Sequence, residues 1–117
     1  IHPNPNVQKH KHLLTNINVI DPLAHSELLD ILVKCKLVIS DSGGLQEEGS
    51  FFNKKVIVCR KTTERPEGLD TGHLIMCETP DLLNKHFGNV NKNYYISNKC
   101  PYGDGYSSIY IKDILSI

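Results

Sequence analysis

The sequence predicts an α/β fold built on a parallel sheet, and three observations carry that reading. Short apolar runs alternate with helix-like segments along the chain. The run Val56-Ile57-Val58-Cys59 is continuously apolar, as a strand covered on both faces requires. A third apolar run, Leu37-Val38-Ile39, leads directly into Ser40-Asp41-Ser42-Gly43-Gly44 and a helical pattern. That junction of strand, glycines and helix is typical of parallel sheets.

Taken in order, Asn4-Pro5-Asn6 predicts a turn, because residues before proline avoid the helical region. Val7 to Leu14 follows as a short helix, and Asn18-Val19-Ile20 as a buried strand ended by Asp21-Pro22. Ser26 to Cys35 carries Leu28, Leu29, Ile31, Leu32 and Val33, which suggests a mostly buried helix. Leu37 to Ser40 is the next strand. The Gly43-Gly44 turn opens a helix to about Phe52, closed by Asn53-Lys54-Lys55. After the strand at Val56 to Cys59, a short helix starts at Pro66, where proline suits the first helical position. Leu74-Ile75-Met76 is a further strand, and Asp81 to Phe87 a helix capped by Thr79. The turn cluster Pro101-Tyr102-Gly103-Asp104-Gly105 precedes a last helix from Ser107.

Composition bounds the function. At 117 residues the chain is one domain, 1–117, with a modest core. Lys+Arg 13 balance Asp+Glu 13, so no basic field points to nucleic acid. No apolar run approaches membrane-spanning length, so no membrane partner is expected. The four cysteines, Cys35, Cys59, Cys77 and Cys100, lack the close spacing of a zinc site or a disulfide scaffold. Reduced thiols and a cytoplasmic location are expected, with no metal and no cofactor. The chain begins Ile1-His2-Pro3, which suggests a piece of a longer protein.

Two loops hold the chemistry. At Gly43-Gly44 the backbone can turn sharply and approach a ligand with no Cβ in the way. The helix that starts there directs free N–H groups and a partial positive charge outward, which suits a phosphate. Ser42 adds a hydroxyl. Glu47 and Glu48 point about 100° apart on a helix, so one can accept ribose hydroxyls while the other is solvated. In Thr62-Thr63-Glu64-Arg65-Pro66-Glu67, Arg65 offers a planar fork to a diphosphate. The plain alternative there is a charged loop with an internal ion pair. His10, His12, His25, His73 and His86 show no metal-ligand spacing. Gly103-Asp104-Gly105 lacks the alternating acids of a calcium loop and reads as a turn.

These motifs, in this order, closely resemble the non-hydrolysing UDP-N-acetylglucosamine 2-epimerases. The matching pieces are His2-Pro3-Asn4-Pro5-Asn6-Val7, Asp21-Pro22, Asp41 through Glu48, Arg60 with Thr62 through Glu67, Gly72, and Pro101 through Gly105. The resemblance spans nearly the whole chain and corresponds to the C-terminal, UDP-binding half of such an enzyme. It implies a Rossmann-like domain, one of the two that face a cleft in the glycosyltransferase-B arrangement. It also implies roles. Ser42, Gly43 and Gly44 would hold the diphosphate, Glu48 the ribose, and Arg65 the UDP portion. Leu28 matches a position lining the uracil, and His2 the active-site histidine near the leaving diphosphate. The reaction implied interconverts UDP-GlcNAc and UDP-ManNAc by eliminating and re-adding UDP, with carboxylates supplied by the absent domain. The fragment alone would then be inactive, and the whole protein a homodimer acting on a UDP-sugar. Gly49 departs from the alanine usual in the family, at a helical cost of about 1 kcal/mol. Two other readings compete: a glycosyltransferase of the same architecture, and a non-catalytic UDP-binding module.

Overall fold

The computed structural model describes residues 1–96 and 99–116. Its contacts divide the chain into two compact units, Ile1–Ile31 and Leu32–Ile117.

The first unit is mostly irregular. Asn4 caps a one-turn helix, α1 (Pro5–Gln8), its side chain accepting the Asn6 N–H at 2.9 Å. Pro5 occupies the first helical position, where its missing N–H costs nothing. The helix expected over Val7–Leu14 is therefore broken: α1 ends at Gln8, and Lys11–Leu13 form a separate 3-10 turn. Asn18-Val19-Ile20 is neither a strand nor buried. Among the described residues no strand pairs with it, and a segment without a ladder partner has nothing to satisfy its amides as a strand. α2 (His25–Lys34) begins one residue early and continues into the second unit. It is less buried than its composition suggests. Only Leu32 is buried, while Ile31 and Val33 are exposed, because neighbouring positions on a helix point to different faces.

The second unit is organised by a three-stranded parallel sheet in the order β1-β2-β3: β1 (Leu37–Ser40), β2 (Lys55–Val58) and β3 (Leu74–Met76). The register pairs Val38 with Val56 and Val56 with Leu74. β2 is central and buried along its whole length, as its apolar run demands. It starts one residue earlier than expected. Lys55 joins the strand because its ammonium reaches the Gly72 carbonyl at 3.1 Å, leaving its stem buried.

Alternate residues of β2 face opposite layers. On one side Val56 meets α3 (Gly43–Phe51), close to Gly49. On the other, Ile57 packs with Cys77 and with Val90 of α5 (Leu83–Lys92), against Leu37, Ile75, Leu82, Leu83 and Tyr94. α5 runs five residues beyond the expected Phe87, since Val90 must reach this core. Its approach is a 3-10 turn, Pro80–Leu82, with Thr79 at the cap position. No side-chain cap bond forms there; Thr79 hydrogen-bonds Asp81 instead, and that bond with a backbone N–H holds the Asp81 carboxyl below its ordinary range. α4 (Glu67–Asp70) follows Pro66, and α6 (Ser107–Leu115) begins where the sequence places it.

Candidate functional site

The site grows from the junction of β1 and α3. Ser42 caps α3 in an extended conformation, its Oγ accepting the Leu45 N–H at 3.4 Å. Its own N–H donates to Ser40 Oγ at 3.0 Å, which fixes the chain as it leaves the strand. Gly43 and Gly44 are the first helical residues, so their N–H groups have no intrahelical acceptor and face outward. The sharp turn expected of the glycine pair is absent. Neither has positive φ; Gly103 and Gly105 do. What Gly43 provides is close approach: a Cβ there would lie 2.4 Å from Arg65 Nη1 and 2.8 Å from Cζ.

α3 ends as firmly as it starts. Asn53 takes positive φ (59°), Lys54 N–H reaches the Gly49 carbonyl at 2.8 Å, and Asn53 N–H reaches Ser50 at 3.0 Å. This double closure satisfies carbonyls that the helix end would otherwise leave open.

Arg65 comes from the loop after β2. Its Nε donates to Glu47 Oε1 at 2.5 Å, while Glu64 Oε2 lies 3.8 Å from Nη1. The Glu47 hydrogen bond holds the guanidinium firmly protonated. Arg60 makes the ion pair within the loop, bidentate to Glu64 at 2.8 and 3.0 Å. Hydrogen bonds from Arg60 keep the Glu64 carboxyl below its ordinary range. The internal ion pair of the plain reading is thus made by Arg60. Arg60 closes the loop internally, and Arg65 leans across it onto the start of α3.

Half-buried contacts on two sides set that lean. Gln46, fully buried one turn into α3, accepts from Thr63 Oγ1 at 2.6 Å. Thr63 Oγ1 in turn accepts the Arg65 N–H at 3.0 Å. On the other side, Tyr102 Oη donates to the Arg65 carbonyl at 2.8 Å and accepts the Gly68 N–H at 3.1 Å. The backbone of Arg65 is held from both flanks.

Beside it opens a pocket of about 180 Å³ lined by Glu47, Glu48, Phe51, Tyr102, Gly103 and Gly105. Gly103 and Gly105 line it with positive φ, which side chains rarely adopt. Glu47, expected on the other face, lines this pocket together with Glu48 and pairs with Arg65.

The structure therefore brings Ser42, Gly43, Gly44, Glu48 and Arg65 to one edge of the second unit. His2 and Leu28 belong to the first unit. Exposed His2 accepts the Asn4 N–H on Nδ1 at 3.1 Å, and its carbonyl accepts from Gln8 Nε2 at 2.9 Å, both contacts of the local turn. Leu28 is half-buried on α2. Sequence reasoning gave no role to Gln46, Thr63 and Tyr102. All three stand inside the quoted motifs, but only the fold shows that they converge on Arg65. Among the described residues no group of three or more His, Cys, Asp or Glu is arranged to hold a metal.

A parallel sheet with helices on both faces and its polar loops at one edge is Rossmann-like, one half of the glycosyltransferase-B arrangement. The family model for UDP-N-acetylglucosamine 2-epimerase matches residues 1–116, and the chain belongs to that family. It is 35% identical to a UDP-N-acetylglucosamine 2-epimerase of Campylobacter jejuni over 98% of this chain and 33% of the relative. The Bacillus subtilis enzyme of that name is 35% identical, with 92% of this chain and 31% of the relative covered. Among solved structures, the S. aureus MnaA-UDP co-structure superposes with a TM-score of 0.85 at 31% identity, covering 98% of this chain and 35% of that one. The UDP-GlcNAc 2-epimerase from Neisseria meningitidis bound to UDP-GlcNAc gives 0.82 at 31%, covering 100% and 35%. The chain spans about a third of the length of these relatives.

Proposed function

We propose that this chain is the C-terminal UDP-binding domain, 1–117, of an enzyme that interconverts UDP-GlcNAc and UDP-ManNAc. One observation carries the reading: the Arg65 guanidinium lies directly against Gly43, at the N-terminus of α3. Backbone N–H groups, a helix dipole and a delocalised cation converge there, and each favours a diphosphate. Glu47 occupies Nε of Arg65, so the terminal nitrogens nearest Gly43 remain to meet phosphate oxygens. A Cβ added at Gly44 would meet nothing nearer than Ser42 Oγ at 3.9 Å, which leaves room for a ligand.

In the whole enzyme, the carbon-2 proton and UDP leave together to give a 2-acetamidoglucal. UDP then adds back with protonation from the other face. Negative charge grows on the departing diphosphate, where fixed donors lower the barrier. Ser42, Gly43, Gly44 and Arg65 supply that stabilisation, Glu48 holds the ribose, and Leu28 lines the uracil. His2 is the remaining assignment, near the leaving diphosphate, and the family resemblance is its support. Carboxylates that move the carbon-2 proton belong to the rest of the protein. The same resemblance supports a cytoplasmic homodimer.

Titrating UDP into the chain by calorimetry tests the binding half of this proposal. Saturable binding that weakens in R65A is expected; equal affinity of the two would overturn it. For the whole protein, turnover in heavy water should place deuterium at carbon 2 of the product. Turnover without label would exclude elimination.

A further inference from the structure

Cys59 and Cys77 lie outside the site described so far. Val58 and Met76 are Cα partners in the parallel register of β2 and β3, and each cysteine is the residue just after its strand. Both still follow the sheet. Cys59 N–H donates to the Ser40 carbonyl at 2.9 Å, and Cys77 N–H to the Val58 carbonyl at 2.8 Å. In-register parallel neighbours sit about 4.8 Å apart, inside the roughly 4.4–6.8 Å that a disulfide spans between Cα atoms. The side chains also share a face. Cys59 is two residues beyond Ile57, Cys77 two beyond Ile75, and Cys77 packs against Ile57.

Both cysteines line a pocket of about 170 Å³, together with Glu78, Thr79, Pro80 and Leu83. Their accessibility differs sharply. Cys59 is exposed, whereas Cys77 is buried with its thiol donating to the Thr79 carbonyl at 3.3 Å. We propose that Cys59 and Cys77 form a dithiol modification site that reacts with a small disulfide of the glutathione class and closes to an intrachain disulfide.

The order of events follows from exposure. The Cys59 thiolate attacks one sulfur of the reagent, forming a mixed disulfide and releasing one reagent thiolate. Cys77, deprotonated to solvent, then attacks Cys59 Sγ and expels the second thiolate. Two protein thiols are oxidised, and one reagent disulfide is reduced to two thiols. Burial first, then the neighbouring Cys77 and Asp41, push the Cys59 thiol above its ordinary value. Since the thiolate is the nucleophile, the first attack by Cys59 accelerates about tenfold per pH unit through the neutral range.

The test treats the reduced native chain with oxidised glutathione, without denaturant, and follows it by thiol titration, intact mass and peptide mapping. Expected are the loss of two thiols, a mass lower by two hydrogens, and one linked peptide joining Cys59 to Cys77, reversed by dithiothreitol. C77S should stop at the glutathione adduct on Cys59, and C59S should leave Cys77 unmodified. A native chain that stops at the adduct overturns the proposal. So does a linkage through Cys35 or Cys100, or no reaction at alkaline pH.

Discussion

The guanidinium of Arg65 rests on the α-carbon of Gly43, closer than any side chain at that position would allow. A glycine at the start of α3 and an arginine from the loop after β2 thereby form one surface, although 21 residues separate them in sequence. That contact makes several predictions specific.

In G43A the new methyl group would meet Arg65 Nη1 at 2.4 Å. The obstacle is the far end of a flexible side chain, so the fold accommodates the change and Arg65 moves. A displaced charged hydrogen bond costs about 1.5–3 kcal/mol, so UDP affinity should fall roughly tenfold to a hundredfold. Adding R65A to G43A should cost little more. A calorimetric affinity for G43A equal to that of the native chain refutes the coupling.

T63V removes the hydroxyl between Gln46 and Arg65. The buried Gln46 oxygen and the Arg65 N–H lose their partner together, which costs about 1–3 kcal/mol. The urea midpoint should drop with the slope unchanged, and UDP should bind more weakly because the arginine backbone is held from one side only. An unaltered midpoint would mean that the relay contributes nothing.

G49A tests a balance between two opposing effects. Alanine gains about 1 kcal/mol of helix propensity over glycine, but its Cβ would sit 2.8 Å from Val56 Cγ2. Val56 is fully buried and stiff at χ1, so the clash wins and the variant loses about 1–2 kcal/mol net. In V56A the penalty should vanish and G49A should stabilise instead. Chemical denaturation of the four-member cycle decides; simple additivity falsifies the packing argument. The departure from alanine noted in the sequence is thus matched to a particular neighbour.

His73 supplies the pH dependence. Burial, and then Lys55, hold its ring below the ordinary value of 6.5. As pH falls through that value, the unfolded chain takes up the proton before the folded one. Acid therefore stabilises the unfolded state, and native stability declines below 6.5. Glu64, Asp81 and Asp104 are also held low, but they act only below their ordinary values of 4.5, 3.8 and 3.8. Melting temperatures should fall between about pH 6.5 and 5 in the native chain and stay flatter in H73Q. Parallel curves for the two proteins would assign the loss to other groups.

Much of the second unit was legible because its signals are local. An apolar run covered on both faces reads as a central strand whatever surrounds it, and β2 is buried end to end. The boundary shift at Lys55 is the instructive exception: a lysine enters a buried strand only because a carbonyl waits 3.1 Å away. The first unit was misread for the same reason. Asn18-Val19-Ile20 has the composition of a strand, but a strand is a pairing, and among the described residues no strand pairs with it; the Ile20 carbonyl accepts instead from the Ile1 amino group.

Residue types and their spacing determined the parallel α/β class, the helix opening at Gly43-Gly44, and the two loops with phosphate-suited chemistry. These follow from backbone preference and hydrophobic pattern, which act over a few neighbouring positions. Tertiary structure alone decided that Gly43 serves close approach instead of a sharp turn, that Glu47 orients Arg65, and that Thr63 and Tyr102 hold its backbone. Each of those depends on atoms brought to within about 3 Å from distant parts of the chain, a distance that no reading along the sequence measures.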